Sequence, residues 1–164
     1  MIDVERHDRG VCIETVSGRV DGALHIGRTI RTLDDLNQES KEFVVVRQPK
    51  PDPTGRHLTD APLALKRTSI LFLYERTVPL QMDGKRFGNF RAVPLRMRVG
   101  RFHVEGFVHT SADGDAMKRL SESRHPFMAL TSVLVESPDG DYTVPFLAVN
   151  RDHIIAAQQD PART

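Results

Sequence analysis

The chain has a single cysteine, Cys12, among its 164 residues. A lone cysteine excludes an internal disulfide framework and is typical of a protein in a reducing compartment. No apolar run approaches the roughly 20 residues that a membrane-spanning helix needs, and the first ten residues lack the apolar core of a secretory signal. These absences predict a soluble cytoplasmic protein that does not contact a membrane.

The chain has almost no excess of charge of either sign, and it also lacks catalytic signatures. The chain carries 23 Lys and Arg against 22 Asp and Glu, a net charge of +1. This balance argues against a general polyanion binder, although cations can still cluster locally. The sequence contains no Gly-x-Ser-x-Gly elbow, no glycine-rich phosphate loop and no Cys-x-x-Cys or His-Glu-x-x-His motif. It therefore predicts no cofactor and favours a protein without enzymatic activity.

Hydrophobic periodicity predicts a mainly β protein with short α-helices. Phe43-Val44-Val45-Val46 is uniformly apolar, which predicts a strand buried on both faces. Thr32, with Asp35 at the capping-box position, predicts a helix of two or three turns that ends before Phe43. The predicted strands are Val11–Val20, Phe43–Val46, Leu63–Lys66, Ser69–Tyr74, Val93–Val99, Phe102–Val108, Phe127–Val135, Tyr142–Val149 and His153–Ala157, and a second helix is predicted within Asp115–Arg124.

An internal repeat organises these elements. The pattern Leu-Ala-[Leu/Val]-x-Arg-x-x-Ile occurs at Leu63–Ile70 and again, 84 residues later, at Leu147–Ile154. Upstream of it, a spacing of 88 pairs Val16 with Val104 and Gly18 with Gly106, so the second copy would lack four residues. Agreement of motif and element order predicts two homologous halves.

A half of about 70 residues has exposed edges and a thin core. We therefore expect each half to be a small bent sheet or barrel, with the two packed as an intrachain pseudo-dimer. The predicted organisation is a first repeat at 1–75, a basic linker with a hairpin at 76–98, a second repeat at 99–158 and a polar tail at 159–164.

The segment Val149-Asn150-Arg151-Asp152-His153-Ile154-Ile155 resembles the second signature of Sm-like proteins, in which an apolar strand turns through Arg-Gly into another apolar strand. Asp34-Asp35-Leu36-Asn37 is similar to part of their first signature. The resemblance implies a strongly bent small β-barrel, a ring-forming or dimeric assembly, and RNA contacted by Arg67, Arg151 and Asn150.

Three groups of side chains are candidate sites. Arg67 and Arg151 occupy the same place in each repeat, where they could bind an anion through their forked donors or, structurally, bond backbone carbonyls. His103, Glu105 and His109 share one face of a strand and are weak candidates for a metal site.

The third group is the densest basic stretch, which has Phe87 and Phe90 among its cations. It could track a nucleic-acid backbone while the phenylalanines stack on bases, or it could be a solvated face or a salt-bridge surface. Its members are Lys85, Arg86, Arg91, Arg96, Arg98 and Arg101.

The leading functional hypothesis is a non-enzymatic binding or assembly module, whose partner is another protein or a second copy of the chain. Single-stranded RNA binding through the basic segment is the alternative. A small-ligand sensor or an enzyme with a site between the repeats is the second alternative, and no catalytic residue is assigned.

Overall fold

The structure is a computed structural model and describes residues 6–27, 29–50, 61–76 and 90–161. The chain divides into two compact units, residues 1–77 and 78–164. Within the described ranges, each unit has one antiparallel five-stranded sheet and one short helix.

The first unit runs strand, strand, helix, strand, strand, strand. Its elements are β1 (Arg6–Thr15), β2 (Gly18–Gly27), α1 (Thr32–Leu36), β3 (Phe43–Lys50), β4 (Leu63–Lys66), a 3₁₀ turn (Arg67–Ser69) and β5 (Ile70–Glu75). The order of strands across the sheet is β5-β1-β2-β3-β4. The chain therefore meanders from β1 to β4, and β5 returns to the free side of β1.

The second unit has the same succession of elements. They are β6 (Phe90–Val99), β7 (Phe102–Ser111), α2 (Ala116–Glu122), β8 (Phe127–Glu136), β9 (Tyr142–Asn150), a 3₁₀ turn (Arg151–His153) and β10 (Ile154–Gln159). Its strand order is β10-β6-β7-β8-β9. This order is that of the first unit, strand for strand.

Equivalent elements of the two units keep a constant spacing of 84 residues. Arg6 and Phe90 begin the first strands, Gly18 and Phe102 the second, and the helices, third strands, 3₁₀ turns and last strands follow the same interval. The upstream spacing of 88 was therefore wrong. It failed because a shift of four residues keeps every side chain on the same face of a strand, so periodicity alone does not fix the register.

The third strand of each unit contains the same irregularity. The ladder shifts by one residue between Asp21 and Ala23 in the first unit and between Glu105 and Phe107 in the second. The extra residue belongs to a stretch of β3 or β8 that includes a left-handed position, Gln48 at φ 50° and Ser132 at φ 49°. A bulge of this kind bends its strand and increases the local twist.

A glycine lies opposite each bulge, Gly22 in β2 and Gly106 in β7. A Cβ at Gly22 would lie 2.3 Å from a Val46 methyl group, and one at Gly106 would lie 3.0 Å from a Val133 methyl group. The bent third strand therefore presses onto the second strand where no side chain intervenes.

Three local predictions were wrong. Val11–Val20 is a hairpin and not one strand, because the chain turns at Val16 and Ser17. Thr32 does not cap α1: it is the first helical residue, is buried, and donates its hydroxyl to Glu75. The helix is only five residues long.

The third error concerns β3. Val44 and Val46 are buried, but Phe43 is 47% exposed and Val45 is 53% exposed. Buried and exposed side chains therefore alternate along β3, as in any strand with one covered face. The sequence does not show this alternation because all four residues are apolar. β3 is therefore half exposed and not buried on both faces.

The predicted class, mainly β with short helices, is confirmed. The sheets are open within the described ranges, since no ladder joins β4 to β5 or β9 to β10, so the barrel form is not observed. The predicted linker at 76–98 includes most of β6, and the hairpin proposed at Asp83-Gly84 lies outside the described residues. Of the helices in the described ranges, none has the length and apolar character needed to cross a membrane.

Alanine at Gly22 should destabilise the protein more than alanine at Gly106, because its Cβ would overlap Val46. We expect Gly22→Ala to lower the free energy of unfolding by about 2–3 kcal/mol and Gly106→Ala by about 1 kcal/mol, the usual range for overpacking. Urea unfolding measures both. Gly10→Ala is the control, since a Cβ there meets no atom closer than 3.9 Å. Gly22→Ala unfolding at the wild-type midpoint would contradict the proposed close approach.

Candidate functional site

Arg67 and Arg151, the paired arginines, lie in the 3₁₀ turns and reach back to the helix of their own unit. Arg67 donates to the carbonyl oxygens of Leu36 (3.2 Å) and Gln38 (2.6 Å). Arg151 donates to the carbonyl oxygen of Leu120 (2.8 Å from Nε) in the same way. The Leu36 and Leu120 carbonyls belong to the last turn of a helix and have no partner within it, whereas the Gln38 carbonyl, just after α1, also accepts the backbone N–H of Lys41. The arginines therefore cap the helices, which is the structural alternative for this pair.

Further hydrogen bonds connect each 3₁₀ turn to the segment between the helix and the third strand. The Arg151 guanidinium also donates to the carbonyl oxygens of Ser123 and His125, at 2.7 and 3.0 Å. The backbone N–H of Arg151 donates to Pro126, and that of Arg67 donates to Glu42, each at the residue before the third strand. The junction thus ties together the helix, the start of the third strand and the turn between the last two strands.

Asn150, the third residue that the Sm-like resemblance assigned to RNA, is 1% exposed. Its side-chain oxygen accepts the backbone N–H of Asp152 at 3.1 Å and so begins the 3₁₀ turn. The equivalent residue of the first unit is Lys66, which is exposed. Asn150 is thus a capping residue inside the fold.

The basic stretch does not form one basic face. Lys85 and Arg86 lie outside the described residues. Arg96 and Arg98 point to one side of β6, whereas Arg91 belongs to the other set of alternate positions and donates to the Gly114 carbonyl oxygen. Arg101 lies in the β6–β7 turn, with its guanidinium 4.5 Å from the centre of the Phe102 ring.

Acidic side chains lie beside Arg96, one of the two arginines that share a face, whereas Arg98 donates to the Gly100 carbonyl oxygen. Arg96 donates to Glu105 at 2.8 Å, and Asp160 is 3.9 Å away. The hydrogen bond to Glu105 raises the pKa of the Arg96 guanidinium above its ordinary value. Arg96 and Glu105, with Arg98, His103, Glu136 and Gln158, line a shallow groove of about 310 Å³ in the second unit. The groove carries charge of both signs, which suits a polar surface better than a phosphate track.

The weak metal candidates do not converge. Glu105 is held by Arg96, and His109 bonds the Thr131 hydroxyl through Nε2 at 2.8 Å. His103 is exposed and lies across the ladder from Arg98 and Glu136. Within the described ranges, no three His, Cys, Asp or Glu side chains come close enough together to hold a metal ion.

The same face of the first unit is built differently. Cys12, which the sequence predicts as a small buried side chain, is 3% exposed. Arg19 lies beside it, 3.1 Å from its sulfur, and also donates to Asp21 at 2.8 Å. The hydrogen bond to Asp21 raises the pKa of Arg19 above its ordinary value. The arginine is fixed between these two groups, and the cysteine is covered.

The feature that sequence reasoning missed is an apolar surface on β3 and β4. Phe43 and Val45 project from β3 beside Lys66 and Ala64 of β4, their partners in the ladder. The Lys66 ammonium lies 4.8 Å from the centre of the Phe43 ring and 3.8 Å from Glu42. We call this surface, formed by Phe43, Val45, Ala64 and Lys66, the β3–β4 face.

The second unit buries three of the four equivalent positions, and the fourth, Ala129, is half-buried. Phe127, the equivalent of Phe43, is 2% exposed, and Ala148, the equivalent of Ala64, is 1% exposed. Two units with one topology therefore differ in the exposure of one face. Phe43 is a large exposed aromatic residue, and Val45 beside it is an exposed β-branched residue. Covering such an apolar surface lowers the free energy of the protein in water.

Comparison of the chain with protein-family models, with curated proteins and with solved structures gives no match. The Sm-like resemblance therefore stays a prediction.

Removal of either capping arginine should destabilise its unit. We expect Arg67→Ala and Arg151→Ala each to lower the free energy of unfolding by about 2–3 kcal/mol, because helix-end carbonyls lose charged donors. Lysine should restore part of this loss, since it has donors but no fork. Urea unfolding measures the effect.

The control for the arginine variants is Arg124→Ala, at an exposed position, where we expect a change within about 0.5 kcal/mol. The same experiment separates capping from anion binding. If inorganic phosphate stabilised the wild type but neither alanine variant, the arginines would be an anion site, because a ligand raises the stability of the state that binds it.

Proposed function

We propose that this chain is a non-enzymatic binding or assembly module, made of a duplicated five-stranded unit, that binds protein through its β3–β4 face. The observation that carries the proposal is the contrast between Phe43, 47% exposed, and its equivalent Phe127, 2% exposed. The same backbone position is part of the interior in one unit and part of the surface in the other.

Gene duplication explains the agreement between the units better than chance does. The two units have the same strand order and the same bulge in the third strand. A constant spacing of 84 residues separates their equivalent elements, and it also separates Gly22 from Gly106 and Arg67 from Arg151. An unrelated pair of β units has no reason to match in all of these features. The proposed pseudo-dimer is an extension of this inference.

The chemistry of the β3–β4 face suits a protein partner. Its centre is apolar, with Phe43 and Val45, and its rim carries Lys66 and Glu42. Interfaces between proteins have this arrangement of an apolar centre, enriched in aromatic side chains, and a polar rim. The Lys66 ammonium lies over the exposed Phe43 ring and stabilises it through a cation–π interaction.

A ligand sensor or an enzyme is supported less. Of the residues that this hypothesis would bring together, Glu105 bonds Arg96, and Arg67 and Arg151 bond the ends of α1 and α2. Each of these side chains thus has a structural role within its own unit.

A photo-cross-linking test addresses the proposed function directly. A photoreactive phenylalanine analogue in place of Phe43, in protein expressed in its native host, should form covalent adducts with another polypeptide, because that side chain lies in the proposed contact. The same analogue in place of Val16, which is 56% exposed in the β1–β2 turn, is the control. Mass spectrometry identifies the adducts. Equal yields at the two positions, or none at either, would rule out the β3–β4 face as a binding surface.

RNA binding through the basic segment is the alternative. A binding assay distinguishes it from the proposed function. Because Glu105 and Asp160 offset Arg96, we expect weak binding to a mixed single-stranded RNA pool at low salt, and no loss of it in Arg96→Glu/Arg98→Glu. Filter binding or fluorescence anisotropy at two salt concentrations measures this. Affinity that falls steeply with salt and disappears in the double variant would favour the RNA alternative instead.

A further inference from the structure

The outer strands of the two units' sheets are β4, β5, β9 and β10, and of these β4 and β10 are exposed. β5 is almost wholly apolar and buried over Ile70–Leu73, and β9 is buried over Leu147–Asn150. β4 has one buried residue, Leu65, and β10 has none. Within the described residues, no strand pairs with the outer edge of β4 or of β10. Among the described strands, each edge therefore has backbone N–H and C=O groups that no neighbouring strand pairs with.

The β10 edge lacks most of the features that keep strand edges from pairing. Its sequence, Ile-Ile-Ala-Ala-Gln-Gln, has no charged residue and no proline. The one irregularity is a register shift between Ile154 and Ala156, which leaves Ile155 out of the ladder with β6. Ile155 is 68% exposed, more than any other large hydrophobic residue of the described chain. Natural proteins protect free edges with charges, prolines and short strands, so a neutral six-residue edge favours pairing.

The two exposed edges also complement each other in charge. Lys66 ends β4, and the exposed Asp152 lies two residues before β10. If the two edges pair antiparallel, as all the ladders within each unit do, the carboxyl end of β4 meets the amino end of β10. Lys66 then approaches Asp152, and the apolar centre of the β3–β4 face approaches Ile155.

We propose that the β4 edge of one copy of this chain pairs antiparallel with the β10 edge of a second copy. The inference rests on the proposed function and names its partner. The contact is heterologous, because each copy uses two different surfaces, and a third copy can add at either end. The product is a closed ring or an open chain of subunits, according to the rotation between neighbours.

Complementary edge variants test this arrangement. Val45→Lys places a charge at the centre of the β3–β4 face, beside the β4 edge, and leaves the β10 edge intact, while Ile155→Lys changes the β10 edge and leaves the β3–β4 face intact. Both positions are exposed, as is the control Val16→Lys in the β1–β2 turn, and circular dichroism confirms folding. Sedimentation velocity over a wide concentration range measures assembly of the full chain.

We expect the wild type and Val16→Lys to assemble, and each edge variant alone to remain monomeric, with association weakened at least tenfold. A mixture of the two edge variants should form a 1:1 complex and nothing larger, since one intact edge of each kind remains. Lys66→Glu should weaken assembly, and adding Asp152→Lys in the same chain should restore it.

The outcomes separate this inference from the proposed function. If Ile155→Lys assembles like the wild type while Val45→Lys does not, the β3–β4 face pairs with itself, and the head-to-tail arrangement is overturned. If the wild type is monomeric throughout, or if Val45→Lys assembles normally, a second copy is not the partner that binds the β3–β4 face. In those two cases a cross-link from position 43 to a different protein would still support the β3–β4 face as a binding surface, and its absence would remove both proposals.

Discussion

The hydrogen bonds from Arg67 and Arg151 to helix-end carbonyls are the constraint on which each unit depends. A five-residue or seven-residue helix has few internal bonds and is marginal by itself. The guanidinium group satisfies its last carbonyls and connects it to the turn between the fourth and fifth strands. Because the backbone N–H of the same arginine bonds the residue before the third strand, one residue connects the helix, the third strand and the turn. In the first unit it places Phe43, the first residue of β3, next to β4.

The sequence predicted the strands well where apolar and polar residues alternate, as in β6, β7 and β8. It failed at the β1–β2 hairpin because the turn, Val16-Ser17, has neither the asparagine nor the glycine that the common two-residue turns require. It also misaligned the amino-terminal parts of the repeats, because a register error of an even number of residues leaves the pattern of faces intact. These errors come from information that one-dimensional periodicity does not contain.

The candidate site was less accessible to sequence reasoning than the fold. The repeat located the paired arginines, but whether a guanidinium meets a carbonyl or an anion depends on where the chain brings a helix end. The β3–β4 face was hidden for a related reason. Four apolar residues in a row at Phe43–Val46 carry no sign of which two face solvent, and only the packing of Val44 and Val46 against the core decides this. The unusual feature that the sequence did offer is an aromatic residue next to a β-branched triplet in a short strand.

The difference in sequence between the units follows the exposure of the equivalent positions. Where the face is covered, the fourth strand ends in Asn150, an uncharged side chain whose oxygen accepts a backbone N–H within the fold. Where the face is uncovered, the same position is Lys66, whose ammonium lies over an aromatic ring and near Glu42. A buried lysine there would carry a large desolvation cost, whereas an exposed lysine both solvates an apolar surface and disfavours indiscriminate edge pairing. On the proposed function, this single charge at the end of β4 favours a partner that offers a carboxylate over one that does not, because specificity is a difference between two affinities.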